Sequence, residues 1–95
     1  MPKGYVIARV TVTNPEAYAE YVKGASEAIA KYGGKPLVRG GQVETLEGEG
    51  RPRNVVIEFE SFEQAKRYYH SSEYQAAKAK REGAGLADIV AVEGA

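Results

Sequence analysis

Six residues stand out as groups that could do chemistry: Arg9, Arg39, Glu58, Tyr69, His70 and Tyr74. Three of them are charges inside runs that otherwise read as apolar strands, where an unpaired charge is costly. A guanidinium matches a carboxylate or enolate oxygen in a two-pronged fashion, so Arg9 or Arg39 is a candidate oxyanion anchor. The structural reading of the same residues pairs Arg9 with Glu58 as an ion pair on neighbouring strands. His70 is the chain's one histidine, and its ordinary pKa lies near neutrality, which suits a general base acting on an acidic carbon or phenol. The plainer reading makes it a helix-terminal cation facing solvent. Tyr69 and Tyr74 would position a substrate through their hydroxyls or rings, or belong to the core with the phenol tip reaching a partner.

Composition narrows what these groups can do. The chain has 95 residues, equal numbers of basic and acidic side chains (thirteen each) and no cysteine. Zero net charge offers no broad field for nucleic acid or an anionic membrane. Without thiolates, and with a single histidine, neither a metal centre nor a cofactor site is expected. No apolar run is long enough for a signal peptide or a membrane span, so the default expectation is a cytoplasmic protein forming one domain over residues 1–95.

The elements that must position the candidates follow from periodicity. Residues 5–12 (YVIARVTV) alternate as a strand, with Val6, Ala8, Val10 and Val12 on one face and Tyr5, Ile7, Arg9 and Thr11 on the other. Asn14-Pro15-Glu16 is a helix start. Tyr18, Tyr21, Val22, Ala25, Ala28, Ile29 and Tyr32 then recur at helical spacing up to Gly33-Gly34, and Glu27 is placed to pair with Lys31. Residues 36–47 are extended, with a bulge or bend expected at Gly40-Gly41. After a polar hairpin loop, residues 54–60 form a strand with Val55, Ile57 and Phe59 on one side. Ser61 with Gln64 opens a helix whose Phe62, Ala65 and Tyr69 face inward. The helical pattern breaks at His70-Ser71-Ser72, and Ser72 with Gln75 signals a restart carrying Tyr74, Ala77 and Arg81. Residues 86–93 form the last strand.

The order βαββαβ with right-handed crossovers gives an α+β, ferredoxin-like fold: a four-stranded antiparallel sheet in spatial order 4-1-3-2 with the helices on one face. The other face carries large apolar groups, and packing against a second copy is the simplest way to cover it.

Four segments together resemble the domain of unknown function 1330 family of the dimeric α/β-barrel superfamily. They are GYVIARVTVTNPEAYAEY (4–21), KYGGKPLVRGG (31–41), RPRNVVIEF (51–59) and YYHSSEYQAAKAKREGAG (69–85). The resemblance implies a homodimer with facing sheets. It also brings in cofactor-free monooxygenases, small lactone isomerases and heme-degrading enzymes as relatives, without an agreed activity for the family itself. The expected function is binding or transforming a small organic molecule. If that is catalysis, His70 is the base, Arg9 or Arg39 the anchor, and Tyr69, Tyr74 and Glu58 line the site. The rival is a non-catalytic binding or assembly module with its charges structurally paired.

Overall fold

A computed structural model describes residues 2–95. The chain runs β1 (Gly4–Val12), α1 (Pro15–Lys31), β2 (Lys35–Arg39), β3 (Arg53–Phe59), α2 (Phe62–His70), α3 (Ser72–Arg81) and β4 (Gly85–Glu93). The strands form one antiparallel sheet in the order β2-β3-β1-β4, the order expected from the crossovers. The Cα atoms span 37 × 33 × 16 Å, a slab two layers thick with the helices on one side of the sheet.

Alternation assigns the two sheet faces. Val6, Ala8 and Val10 of β1 are buried beneath the helices together with Ile57 and Phe59 of β3. α1 contributes Tyr18, Tyr21, Ala25 and Ala28 to the same core. Gly24 lets α1 approach α3 closely, since a Cβ there would lie 2.9 Å from the Ala77 methyl. At the start of β1, a Cβ on Gly4 would come within 2.2 Å of the Ser61 carbonyl oxygen, so the sheet and the start of α2 meet backbone to backbone.

Local signals set the helix ends. Asn14 Oδ1 accepts from Ala17 N at 3.3 Å, and Ser61 Oγ from Gln64 N at 3.1 Å. The Gln64 side chain does not return to Ser61 as a reciprocal cap would; it donates to the Tyr32 carbonyl at 2.9 Å and ties α2 to the end of α1. Four expectations need correction. Ser71, not Ser72, caps α3: its Oγ accepts from Tyr74 N at 3.1 Å while donating to the Tyr68 carbonyl at 2.6 Å. One side chain thereby serves both helix ends at the break, and Ser72 becomes the first helical residue. Tyr68 must be added to the inward stripe of α2 as its deepest tyrosine, because it continues the three-residue step from Phe62 and Ala65, while Tyr69 is partly buried against the same core as expected. The bulge falls between Pro36 and Val38, not at Gly40-Gly41. Gly40 instead ends β2 at φ 65°, donating its N–H to the Asn54 carbonyl at 2.8 Å, and residues 40–52 run as a loop.

The fourth correction concerns Lys31. Its partner is Glu73 at the start of α3, not Glu27, because docking α3 on α1 brings a carboxylate from another element alongside. Glu73 also accepts from the Tyr32 hydroxyl at 3.0 Å. The hydrogen bond from Lys31, then one from backbone and the one from Tyr32, hold the Glu73 pKa down to about 2 from an ordinary 4.5. A depressed carboxylate stabilises the fold fully above its unfolded pKa and stops doing so as pH falls through its folded value. The Glu73→Gln variant is therefore expected to show a flatter decline in urea midpoint than wild type between about pH 4.5 and 2.

Candidate functional site

α1 is held off the sheet by large side chains rather than packed backbone-close on it, and the gap contains a cavity of about 50 Å³. Its helical wall presents Tyr18 and Tyr21 from α1, Tyr68 and Tyr69 from α2, and Tyr74 from α3. The sheet supplies Val55, Ile57 and Ile89 as the floor, with Arg39 and Arg53 at the β2–β3 end. Both arginines face the helices because of register. Arg39 pairs with Val55, which shares the face of Ala8, and Arg53 pairs with Val10.

The tyrosines form a connected group. The Tyr21 and Tyr74 hydroxyls are 2.9 Å apart and hydrogen-bonded, with their rings edge to face. Tyr68 and Tyr69 pack on Tyr74 with ring centroids 5.0 and 5.1 Å away. Burial is the first cause of the raised pKa of all three deep phenols: Tyr74 is pushed up to about 12, and Tyr21 and Tyr68 higher still. At neutral pH these groups are uncharged hydrogen-bonding phenols. The Arg81 guanidinium lies over the Tyr21 ring, 5.1 Å from its centroid.

Of the residues singled out in the sequence, Arg39, Tyr69 and Tyr74 meet at this cavity. The others lie elsewhere. Arg9 and Glu58 occupy the opposite, helix-free face and do not form the expected ion pair. Glu58 stands opposite Tyr5, and Arg9 opposite Asn54, four positions along the same strand, roughly 13 Å apart at the strand repeat. Glu58 instead accepts from the Tyr5 hydroxyl at 3.1 Å, and this bond is the first cause of a raised Tyr5 pKa. Arg9 donates to the Glu49 carbonyl of the loop at 2.7 Å. His70 is exposed at the end of α2, where it borders a separate cleft of about 190 Å³ with Lys66 and Val90. Tyr69 lines both spaces and stands between His70 and the cavity.

Besides Tyr68, Arg53 is a site residue that sequence reasoning missed. Starting the strand one residue earlier would have revealed it, since Arg53, Val55, Ile57 and Phe59 share one face. Tyr18 and Tyr21, assigned to the core from their spacing, are both core and cavity wall. Among the described residues, no group of three or more His, Asp or Glu side chains is arranged to hold a metal ion. Among the same residues, no helix is long and apolar enough to cross a membrane.

Comparison with solved structures places this architecture among known folds. A protein of unknown function from Rhodopseudomonas palustris superposes with a TM-score of 0.73 at 18% identity, covering 99% of this chain and 83% of that one. A dimeric ferredoxin-like protein of unknown function from Thermobifida fusca gives 0.63 at 18% identity, covering 99% and 91%. A cofactor-independent oxygenase from Streptomyces nogalater gives 0.61 at 11% identity, covering 97% and 92%. At these identities the likeness establishes a ferredoxin-like fold. No curated protein matches the sequence. The model of the family described as domain of unknown function DUF1330 matches residues 3–95, and the chain belongs to that family.

Proposed function

We propose that the 95-residue chain acts as one domain, that two copies pair through their helix-free sheet faces, and that each takes a small organic molecule into the cavity between sheet and helices. The cavity carries the ligand reading. Five tyrosines and two arginines line a concave pocket that is partly open to solvent, so a small molecule can reach it. Apolar walls with a few convergent polar groups are the usual make-up of a small-molecule site.

The site's chemistry is that of donors and cations. Burial keeps the Tyr21, Tyr68 and Tyr74 hydroxyls neutral at physiological pH, and the histidine lies beyond Tyr69. Proton abstraction by His70 is therefore poorly served. A reaction in this cavity would fall to a molecule that already carries its charge, as an enolate or phenolate. Oxygenation by dioxygen, or isomerisation by return of a proton to a different carbon, would need no cofactor with such a substrate, and the fold neighbour from Streptomyces nogalater, a cofactor-independent oxygenase, supports the first. Plain binding is the second reading, favoured by the lack of a base among the cavity residues.

Ser26 lines the cavity from α1 and is half-buried, so Ser26→Trp should fill the space from the helix side. In a thermal-shift screen of small aromatic and aliphatic metabolites, ligands that raise the wild-type melting temperature are expected to lose that effect in the variant, with circular dichroism unchanged. A ligand that stabilises both proteins equally would remove the cavity from the reading.

A further inference from the structure

We propose that the cavity's ligand is a small planar organic anion, a carboxylate or enolate on a flat unsaturated body, with its charged oxygens held by Arg53 and Arg39. This rests on the cavity being a ligand site and adds the class of molecule.

Arg53 carries the argument. Its Nε is buried and has no hydrogen-bond partner. A buried N–H left unpaired is costly, and that of a charged guanidinium more so. Among the described residues, neither Arg53 nor Arg39 has a carboxylate partner, whereas nearby Arg51 is paired with Asp88 at 2.8 Å. The uncompensated charge is nonetheless held in place. The Tyr18 ring lies 5.7 Å from the Arg53 guanidinium carbon. Gly40 leaves room on another side, for a Cβ there would fall 2.4 Å from Nη1. Arg53 is thus a positioned cation without a carboxylate partner, lining the pocket.

Arg39 adds a second charge. It stands opposite Val55, two residues from Arg53 on the same face, a diagonal neighbour at roughly 7–8 Å between Cα atoms. Arg39 is exposed at the rim of the pocket, so an anion held by Arg53 would meet a second guanidinium there. An oxygen pair on a flat carboxylate or enolate matches the planar fork of such a group. The rest of the cavity selects against a bare inorganic ion, because beyond the arginines its walls are tyrosine rings and aliphatic side chains. A flat body would stack there, with the hydrogen-bonded Tyr21 and Tyr74 hydroxyls able to donate one bond to it.

The test is an NMR titration of the full chain with four probes: benzoate, benzamide, cyclohexanecarboxylate and inorganic phosphate. Benzoate should shift cavity tyrosine signals and bind about tenfold or more tightly than benzamide, its neutral isostere, or phosphate. Cyclohexanecarboxylate should rank between benzoate and phosphate. Arg53→Met should weaken benzoate at least tenfold while leaving benzamide within about twofold, and Arg39→Met should act in the same direction. The comparison of probes on wild type needs no variant, so it decides even if Arg53→Met fails to fold. Equal binding of benzoate and benzamide, both abolished by Ser26→Trp, would overturn the anion class while keeping the cavity as a site. Phosphate binding as tightly as benzoate would reduce the site to a bare anion hole and overturn the planar class. Absence of tyrosine shifts with every probe, or benzoate binding untouched by Ser26→Trp, would overturn the cavity reading itself.

Discussion

The Ile7→Glu variant is expected to sediment at 10.3 kDa, and the wild-type chain is expected to sediment at twice that mass at micromolar concentration. Ile7 sits at the centre of the helix-free face. Register places Val38, Val56, Ile7 and Val90 in one row across all four strands. Val38 and Val90 are 43% and 56% exposed, and Leu86 and Val92 on the same face are 61% and 43% exposed. A continuous β-branched row open to water is more than a small monomer normally shows. The Thermobifida fusca neighbour of the same fold is dimeric, which favours a second copy as the occupant. In a two-fold interface each substitution enters twice, opposite or near itself. Two carboxylates would then be buried without partners, costing several kcal/mol and raising the dissociation constant by roughly 10³ or more. The variant should keep its helical circular dichroism, because residue 7 faces away from the core. A wild-type mass of 10.3 kDa, or an Ile7→Glu chain that stays paired, would show that this face is not the interface.

Phe59→Ala should cost about 3–5 kcal/mol, enough to leave a substantial unfolded population in a domain whose total stability is of order 5–15 kcal/mol. Phe59 is 1% exposed, and its ring packs on Tyr68 with centroids 5.0 Å apart. Gly34 closes over it, since a Cβ there would fall 2.8 Å from the ring. The backbone at the end of α1, the last residue of β3 and the middle of α2 thus meet at one side chain. With rigid backbone around it the void cannot readily collapse, which puts the cost toward the upper end. Urea denaturation at fixed protein concentration checks it, because dimerisation would otherwise shift the midpoint. A loss under about 1 kcal/mol would mean that neighbouring side chains refill the space.

Sequence and structure divide the work unevenly. Periodicity was sufficient for the elements and their order: the alternation of residues 5–12, the Asn14-Pro15 start and the Ser61–Gln64 signature are all local patterns, and each marks its element, although only the Ser61 half of the last forms as a cap. The break at His70-Ser71 was legible too, though which serine caps α3 turned on a bond back to the Tyr68 carbonyl. The candidate site was less legible because its members belong to different elements. Arg39, Tyr69 and Tyr74 were recognisable as chemically able residues, but charge and residue type do not say which side of the sheet a strand residue faces relative to another strand.

That question was decided by register. Pairing Arg9 with Asn54 and Glu58 with Tyr5 separated two charges that share a face, and pairing Arg39 with Val55 brought Arg39 beside Arg53 under α1. A shift of one residue would have moved each to the opposite face. By itself the sequence determined a βαββαβ chain with one apolar sheet face for the helices and a second left bare, since those features follow from local spacing. Only the tertiary structure decided that the lone histidine stands outside the cavity and that an unpaired arginine stands within it. Such distances are set by the packing of helices on a registered sheet, which no local pattern encodes.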